Sequence, residues 1–99
     1  MFIDVNIYKG AIMPYIKQEM RDRLNKQLQE LIKTISKEDR SNLDGVLNYC
    51  IYVICSELYK DKYIDFNAMM GMLECCKQEL YRKRVAPYED YKESVNGEI

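Results

Sequence analysis

The chain has 99 residues, 47% apolar and 31% charged, with 15 basic against 16 acidic side chains and a net charge of −1. That composition is that of a soluble globular domain, and the charge balance argues against a general DNA or RNA binder, which needs a strong positive field. At this length one core can form but its buried fraction is modest, so self-association is a natural supplement and a homo-oligomer is the expected state. No apolar run approaches a membrane span, and the amino terminus lacks a basic-then-apolar signal, so no membrane is expected among the partners and the expected location is cytoplasmic.

Residues 1–12, MFIDVNIYKGAI, alternate loosely, with Phe2, Val5 and Ile7 at strand-like positions before Gly10. They read as a short strand or an arm onto a neighbouring subunit, ahead of a single helical domain over 13–99. Met13 is a candidate ancestral start, because Pro14 directly precedes a helical pattern that the first twelve residues do not share.

From Pro14 to Ser36 the residues Ile16, Met20, Leu24, Leu28, Leu31, Ile32 and Ile35 recur at intervals of three and four between charged and amide positions. This is an amphipathic helix with one apolar face. Ser41 followed by Asp44 offers a cap for a second helix, Asn42 to Tyr59. There Leu43, Val46, Leu47, Cys50, Ile51, Val53, Ile54 and Leu58 leave little of the circumference polar, the pattern of a central helix. Its remaining flank, Asn48, Tyr52, Cys55 and Tyr59, is either an interface or the wall of a ligand site.

A third helix is expected over Asp65 to Arg84, capped by Asp65 or Asn67, with Phe66, Met69, Met70, Leu73, Cys76 and Leu80 on its core face. Gly71 inside it suits a close helix crossing or the approach of a ligand. The methionines Met69, Met70 and Met72 read as adaptable core filler, and no cofactor is implied. The fold class expected is therefore all-α: a small three-helix domain with an amino-terminal arm or strand and an extended carboxyl-terminal tail. Cys50, Cys55, Cys75 and Cys76 lie in apolar helical patterns and read as free, buried and reduced; without histidine, and with Cys75 and Cys76 adjacent, they do not spell a metal site.

Catalysis finds little support. There is no histidine to serve as a base, no phosphate loop or nucleotide fingerprint, and Glu74 and Glu79 sit about 140° apart around a helix, so no catalytic residues are assigned and the chain reads as a non-enzyme. The segment ELYRKRVAPYEDYKESVNGEI (Glu79 to Ile99) is more informative. Arg82, Lys83 and Arg84 can hold an anion or simply answer a helix dipole; Tyr81, Tyr88 and Tyr91 can stack on a flat ring; Asn96-Gly97 suggests a tight turn presenting backbone donors. In the binding reading an arginine pairs with Glu89 or Asp90 when the site is empty and with a phosphate when it is filled.

The motifs MPYI (Met13 to Ile16), LNYCI (Leu47 to Ile51), GMLECCKQELYRKRVAPYED (Gly71 to Asp90) and the Lys92 to Glu98 stretch ending in NGE resemble a family of small, uncharacterised proteins of tailed phages and prophages. The family's usual paired arginines are here Arg82-Lys83-Arg84, and Glu98 replaces its usual aspartate. The resemblance implies a bacterial host cytoplasm as the setting and supplies no catalytic residues. By analogy of setting and size it points to phage sponges that sequester cyclic nucleotides or cyclic ADP-ribose derivatives in oligomer pockets. The expected function is thus a non-enzymatic oligomeric binding protein for a phosphorylated small molecule such as a nucleotide immune signal, using Tyr81, Arg82, Arg84, Tyr88 and Asn96, with Asn48 and Tyr52 on the second helix. The alternative is an accessory that docks on a host or phage protein.

Overall fold

The computed structural model describes residues 16–98, so the expected amino-terminal arm or strand, and Pro14, lie outside the described residues. Within them the fold is all-α and contains no strand. Four α-helices, α1 (Gln18–Ile35), α2 (Leu43–Leu58), α3 (Tyr63–Leu80) and α4 (Ala86–Asn96), are joined by a 3-10 turn at Arg40–Asn42 and a π turn at Tyr81–Val85. The junction residues from Leu80 through Ala86 keep right-handed helical dihedrals, so α3, the π turn and α4 form one continuous path and the three expected rods are present. The chain divides into two units between Ile51 and Tyr52, inside α2.

In the first unit, α1 begins after Lys17, whose extended backbone makes it the N-cap. The start follows the first acidic groups available to the positive end of the helix dipole, Glu19 and then Asp22, to which the Gln18 amide donates at 2.9 Å. The helix closes at Ser36, whose N–H donates to the Ile32 carbonyl at 2.8 Å and whose hydroxyl donates to the Lys33 carbonyl at 2.7 Å. The next helix is capped by Asp39 rather than by Ser41. The Asp39 carboxylate accepts both the Ser41 N–H and the Ser41 hydroxyl at 2.9 Å, which starts the 3-10 turn and leads into α2. These two hydrogen bonds, the backbone one first, hold the Asp39 carboxyl below the usual aspartate range.

In the second unit, the connector after α2 turns tightly, with the Lys62 N–H donating to the Lys60 carbonyl at 2.8 Å. Asp65, in the first turn of α3, reaches back to accept the Lys60 N–H at 2.6 Å, so it ties the connector down while Lys62 occupies the cap position. The expected extended tail is instead helix α4. A proline inside an α-helix lacks the N–H for its hydrogen bond and clashes with the carbonyl four residues back. The π turn relieves this: the Ala86 N–H donates to the Tyr81 carbonyl, five residues away, and Pro87 falls within the first two positions of α4.

Burial is sparse. Cys55, at 7% exposure, is the one buried residue among those described. Met20, Leu24, Leu28 and Leu31 on α1, Leu47, Ile51, Ile54 and Leu58 on α2, and Phe66, Met70, Met72 and Leu80 on α3 are all exposed. The expected set of four buried cysteines reduces accordingly: all are free, but Cys50 is half-buried and Cys75 and Cys76 are left exposed by the described residues. Gly71 is also not a crossing point, since a methyl group added there would meet no atom within 4 Å.

Two outcomes follow for the native protein. Gly71→Ala should stabilise it by about 0.5–1 kcal/mol in urea denaturation, the gain from removing backbone freedom in an open helical position. Thiol reagents should label Cys75 and Cys76 quickly, Cys50 more slowly, and Cys55 only once denaturant is added; slow labelling of all four would place a covering surface over α3.

Candidate functional site at the π turn

The π turn gathers the residues that the sequence singled out. Tyr81, Arg82 and Arg84 lie in it, and Tyr88 follows on the first turn of α4. For Arg82 the partner is neither Glu89 nor Asp90. The Arg82 guanidinium is held by Glu79, with Nη2 3.1 Å from both carboxylate oxygens. Glu79 is three residues back on the same helix, the nearest neighbour that helical geometry offers, whereas Glu89 and Asp90 lie about two turns ahead. Glu89 is instead the acceptor for the Tyr81 hydroxyl. That hydrogen bond, and then the charge of Glu89, raise the Tyr81 pKa above the ordinary tyrosine value, with smaller contributions from burial and from Asp90.

Tyr88 presents an exposed ring, and the Lys92 ammonium stands 5.7 Å from its centroid. The spacing is again that of neighbours on a helix, four residues on, and it places a cation against the face that a ligand ring would use. Asn96 is the last residue of α4. The tight turn expected at Asn96-Gly97 is a helix terminus: Gly97 has φ 89°, the left-handed region open to glycine, and its N–H donates to the Glu93 carbonyl at 2.8 Å. That donor is therefore spent on closing the helix and is not offered to a ligand.

Asn48 and Tyr52 are exposed on α2, with Asn48 in the first unit and Tyr52 opening the second. The structure joins Tyr81, Arg82, Arg84 and Tyr88 in one segment, sets Asn96 at the far end of α4, and leaves Asn48 in the other unit. Sequence reasoning missed Glu79 and Lys92. The spacing of three from Glu79 to Arg82 falls within the expected third helix and is legible there, whereas the spacing of four from Tyr88 to Lys92 counts only where the segment beyond Pro87 is helical.

An open depression elsewhere, at the start of α2, is lined by Ser41, Asn42, Gly45, Val46 and Tyr49 and includes none of the predicted site residues. Among the described residues no group of histidine, cysteine or acidic side chains is placed to hold a metal ion. No helix among them is long and apolar enough to cross a membrane.

Residues 13–99 match the family described as Domain of unknown function (DUF6899). The chain belongs to that family. No curated protein and no solved structure matches the chain.

The Tyr81–Glu89 contact gives a pH signature. A group whose folded pKa is raised contributes stability that is fully present below its unfolded pKa and is lost as pH rises through the folded value. Ultraviolet titration of the nine tyrosines should therefore show one ionising above the ordinary range. Glu89→Gln should bring it back, and the local contact should melt only in strongly alkaline solution.

Proposed function

We propose that this chain is a non-enzymatic oligomeric binding protein. The observation that carries the reading is the exposure of large apolar side chains along α1, α2 and α3 while Cys55 alone among the described residues is buried. A chain must bury apolar surface to offset the entropy lost on ordering, so for this one folding and association are coupled. The lack of any histidine supports binding rather than acid–base chemistry.

The ligand class assigned to the assembled protein is a phosphorylated small molecule, with a nucleotide immune signal as the natural candidate for a phage-type protein that sequesters it in the bacterial cytoplasm. Support comes from the π turn, where Arg82, Lys83 and Arg84 adjoin the exposed rings of Tyr81 and Tyr88. Guanidinium groups bind phosphate through two donors, and aromatic rings stack on bases. Neighbouring copies complete the pocket in this reading. The second reading, docking of the same segment on a host or phage protein, is favoured by two contacts already present: Glu79 holds Arg82, and Lys92 stands over Tyr88.

Sedimentation at micromolar concentration should give a species larger than the 11.8 kDa chain, and a monomer would remove the oligomeric reading. A thermal-shift screen of cyclic dinucleotides, cyclic trinucleotides and ADP-ribose derivatives tests the ligand class. For a compound that stabilises the protein, Arg82→Ala should weaken binding by about 1.5–3 kcal/mol, the contribution of a hydrogen bond to a charged group. Tyr88→Ala should weaken it by about 1–3 kcal/mol and Tyr88→Phe far less, because the ring supplies the contact. If no phosphorylated compound raises the melting temperature, the docking reading takes its place.

A further inference from the structure

One face of α3 gathers three sulfur atoms. Cys75 and Cys76 are adjacent, both are free, and both are exposed, although cysteine is among the residues most often buried. Met72, 41% exposed, lies three residues before the first and four before the second, so the three side chains leave α3 within an arc of about 100°. Core filler and buried thiols are what the apolar pattern predicts at these positions; the described residues leave all three open to solvent instead.

We propose that Met72, Cys75 and Cys76 form a site for a soft monovalent metal ion of the copper(I) or silver(I) kind, with the two thiolates as its principal ligands and the thioether as a third. The inference goes beyond the binding role above and does not rest on it. The helical backbone decides between the two things that a pair of adjacent thiols can do. A disulfide needs Cα atoms about 4.4–6.8 Å apart and Cβ atoms about 3.5–4.5 Å apart. Consecutive Cα atoms are held at about 3.8 Å, and the helical step of about 100° spreads the Cβ atoms to about 5 Å, so the bond cannot close while α3 stays wound. A metal ion between the sulfurs, at a metal–thiolate distance of about 2.3 Å, bridges a sulfur separation of about 4 Å and accepts that spread.

Donor chemistry sets the class of ion. Thiolate and thioether sulfur prefer soft ions, copper(I) among them. Zinc takes four ligands, mostly thiolate, imidazole and carboxylate; the chain has no histidine, and among the described residues no three cysteine or acidic side chains are placed around one ion. The neighbouring carboxylates are also engaged: Glu74 by Lys77 at 3.4 Å and Gln78 at 3.1 Å, and Glu79, one turn on, by Arg82. Two thiolates and a neutral thioether therefore suit an ion that needs only two or three donors. Binding changes no oxidation state: each thiol gives its proton to solvent as its sulfur–metal bond forms.

The test is competition for copper(I) against a chromophoric chelator in the absence of oxygen, with one ion bound per chain as the expected result. Cys75→Ser and Cys76→Ser should each weaken binding by more than about 100-fold, beyond the roughly 10–100-fold lost when a group that only supports a ligand is removed. Met72→Leu, which keeps the side-chain volume, should weaken it about 10-fold, and an unchanged affinity there overturns the three-sulfur site. Cys50→Ser should bind as the native protein does. An equal loss in Cys50→Ser, one ion per two chains, or zinc bound as tightly as copper(I) each overturns the proposal. A second readout needs no variant: one equivalent of silver(I) should protect Cys75 and Cys76 together from alkylation, as mapped by mass spectrometry, and leave Cys50 reactive. Alkylation of either thiol that silver(I) does not slow overturns the site. So does a native protein in which neither thiol is alkylated at all, because α3 is then covered, and that result leaves the oligomeric reading intact.

Discussion

Apolar side chains that the described residues leave in contact with water set the terms for everything else in this structure. Each of α1, α2 and α3 carries the three-four spacing that normally marks a face turned to a core, yet Met20, Leu24, Ile51, Leu58 and Phe66 remain exposed. Isolated helices of this length are marginal in water, and tertiary burial usually supplies what local hydrogen bonding cannot. The stability of these helices is therefore bound up with what covers them. In that respect the described residues resemble half of a core rather than a small complete one.

The polar contacts are of a different kind. Arg82 with Glu79, Gln18 with Asp22, Gln78 with Glu74 and Lys92 with Tyr88 all join residues three or four apart on a single helix. Exposed pairs at this spacing contribute only about 0.3–0.5 kcal/mol, whereas in Arg82–Glu79 the carboxylate is largely covered, its side chain 14% exposed. Such contacts fix a side chain against its own helix.

The helices were legible in the sequence because hydrophobic periodicity is a property of long segments and survives a few misread residues. Their ends were less so. Ser41 and Asp39 both have the side-chain chemistry of a cap, and only the backbone path decides that Asp39 accepts the Ser41 N–H. The largest departure is the segment beyond Arg84, which continues as helix α4 where an extended tail is expected. An extended tail hides Lys92 as the helical neighbour of Tyr88 and makes Asn96-Gly97 a turn of its own, whereas Glu79 and Arg82 both lie inside the expected third helix, where their spacing of three is legible. Tyr81, Arg82, Arg84 and Tyr88 were nonetheless found, since they lie close in sequence and nothing beyond local geometry is needed to bring them together. Burial was the least legible property: an apolar pattern at Cys75, Cys76 and Gly71 shows which face seeks a neighbour, and only the structure shows that none is supplied by the described residues.

The π turn has a further consequence for how this segment can vary. A turn closed over five residues carries about one residue more than an α-helical turn, so every side chain of α4 is rotated by about 100° from where an uninterrupted α3 would have put it. Deleting a single residue between Tyr81 and Val85 would restore the α-helical phase, swing Tyr88 and Tyr91 to another side, and drive the Pro87 ring into a carbonyl. Replacing Pro87 alone would leave a wide turn with no steric reason to persist. The length of the segment and the proline are therefore joined as a single heritable character, in which an insertion and an imino acid are tolerated together and exposed to selection when separated.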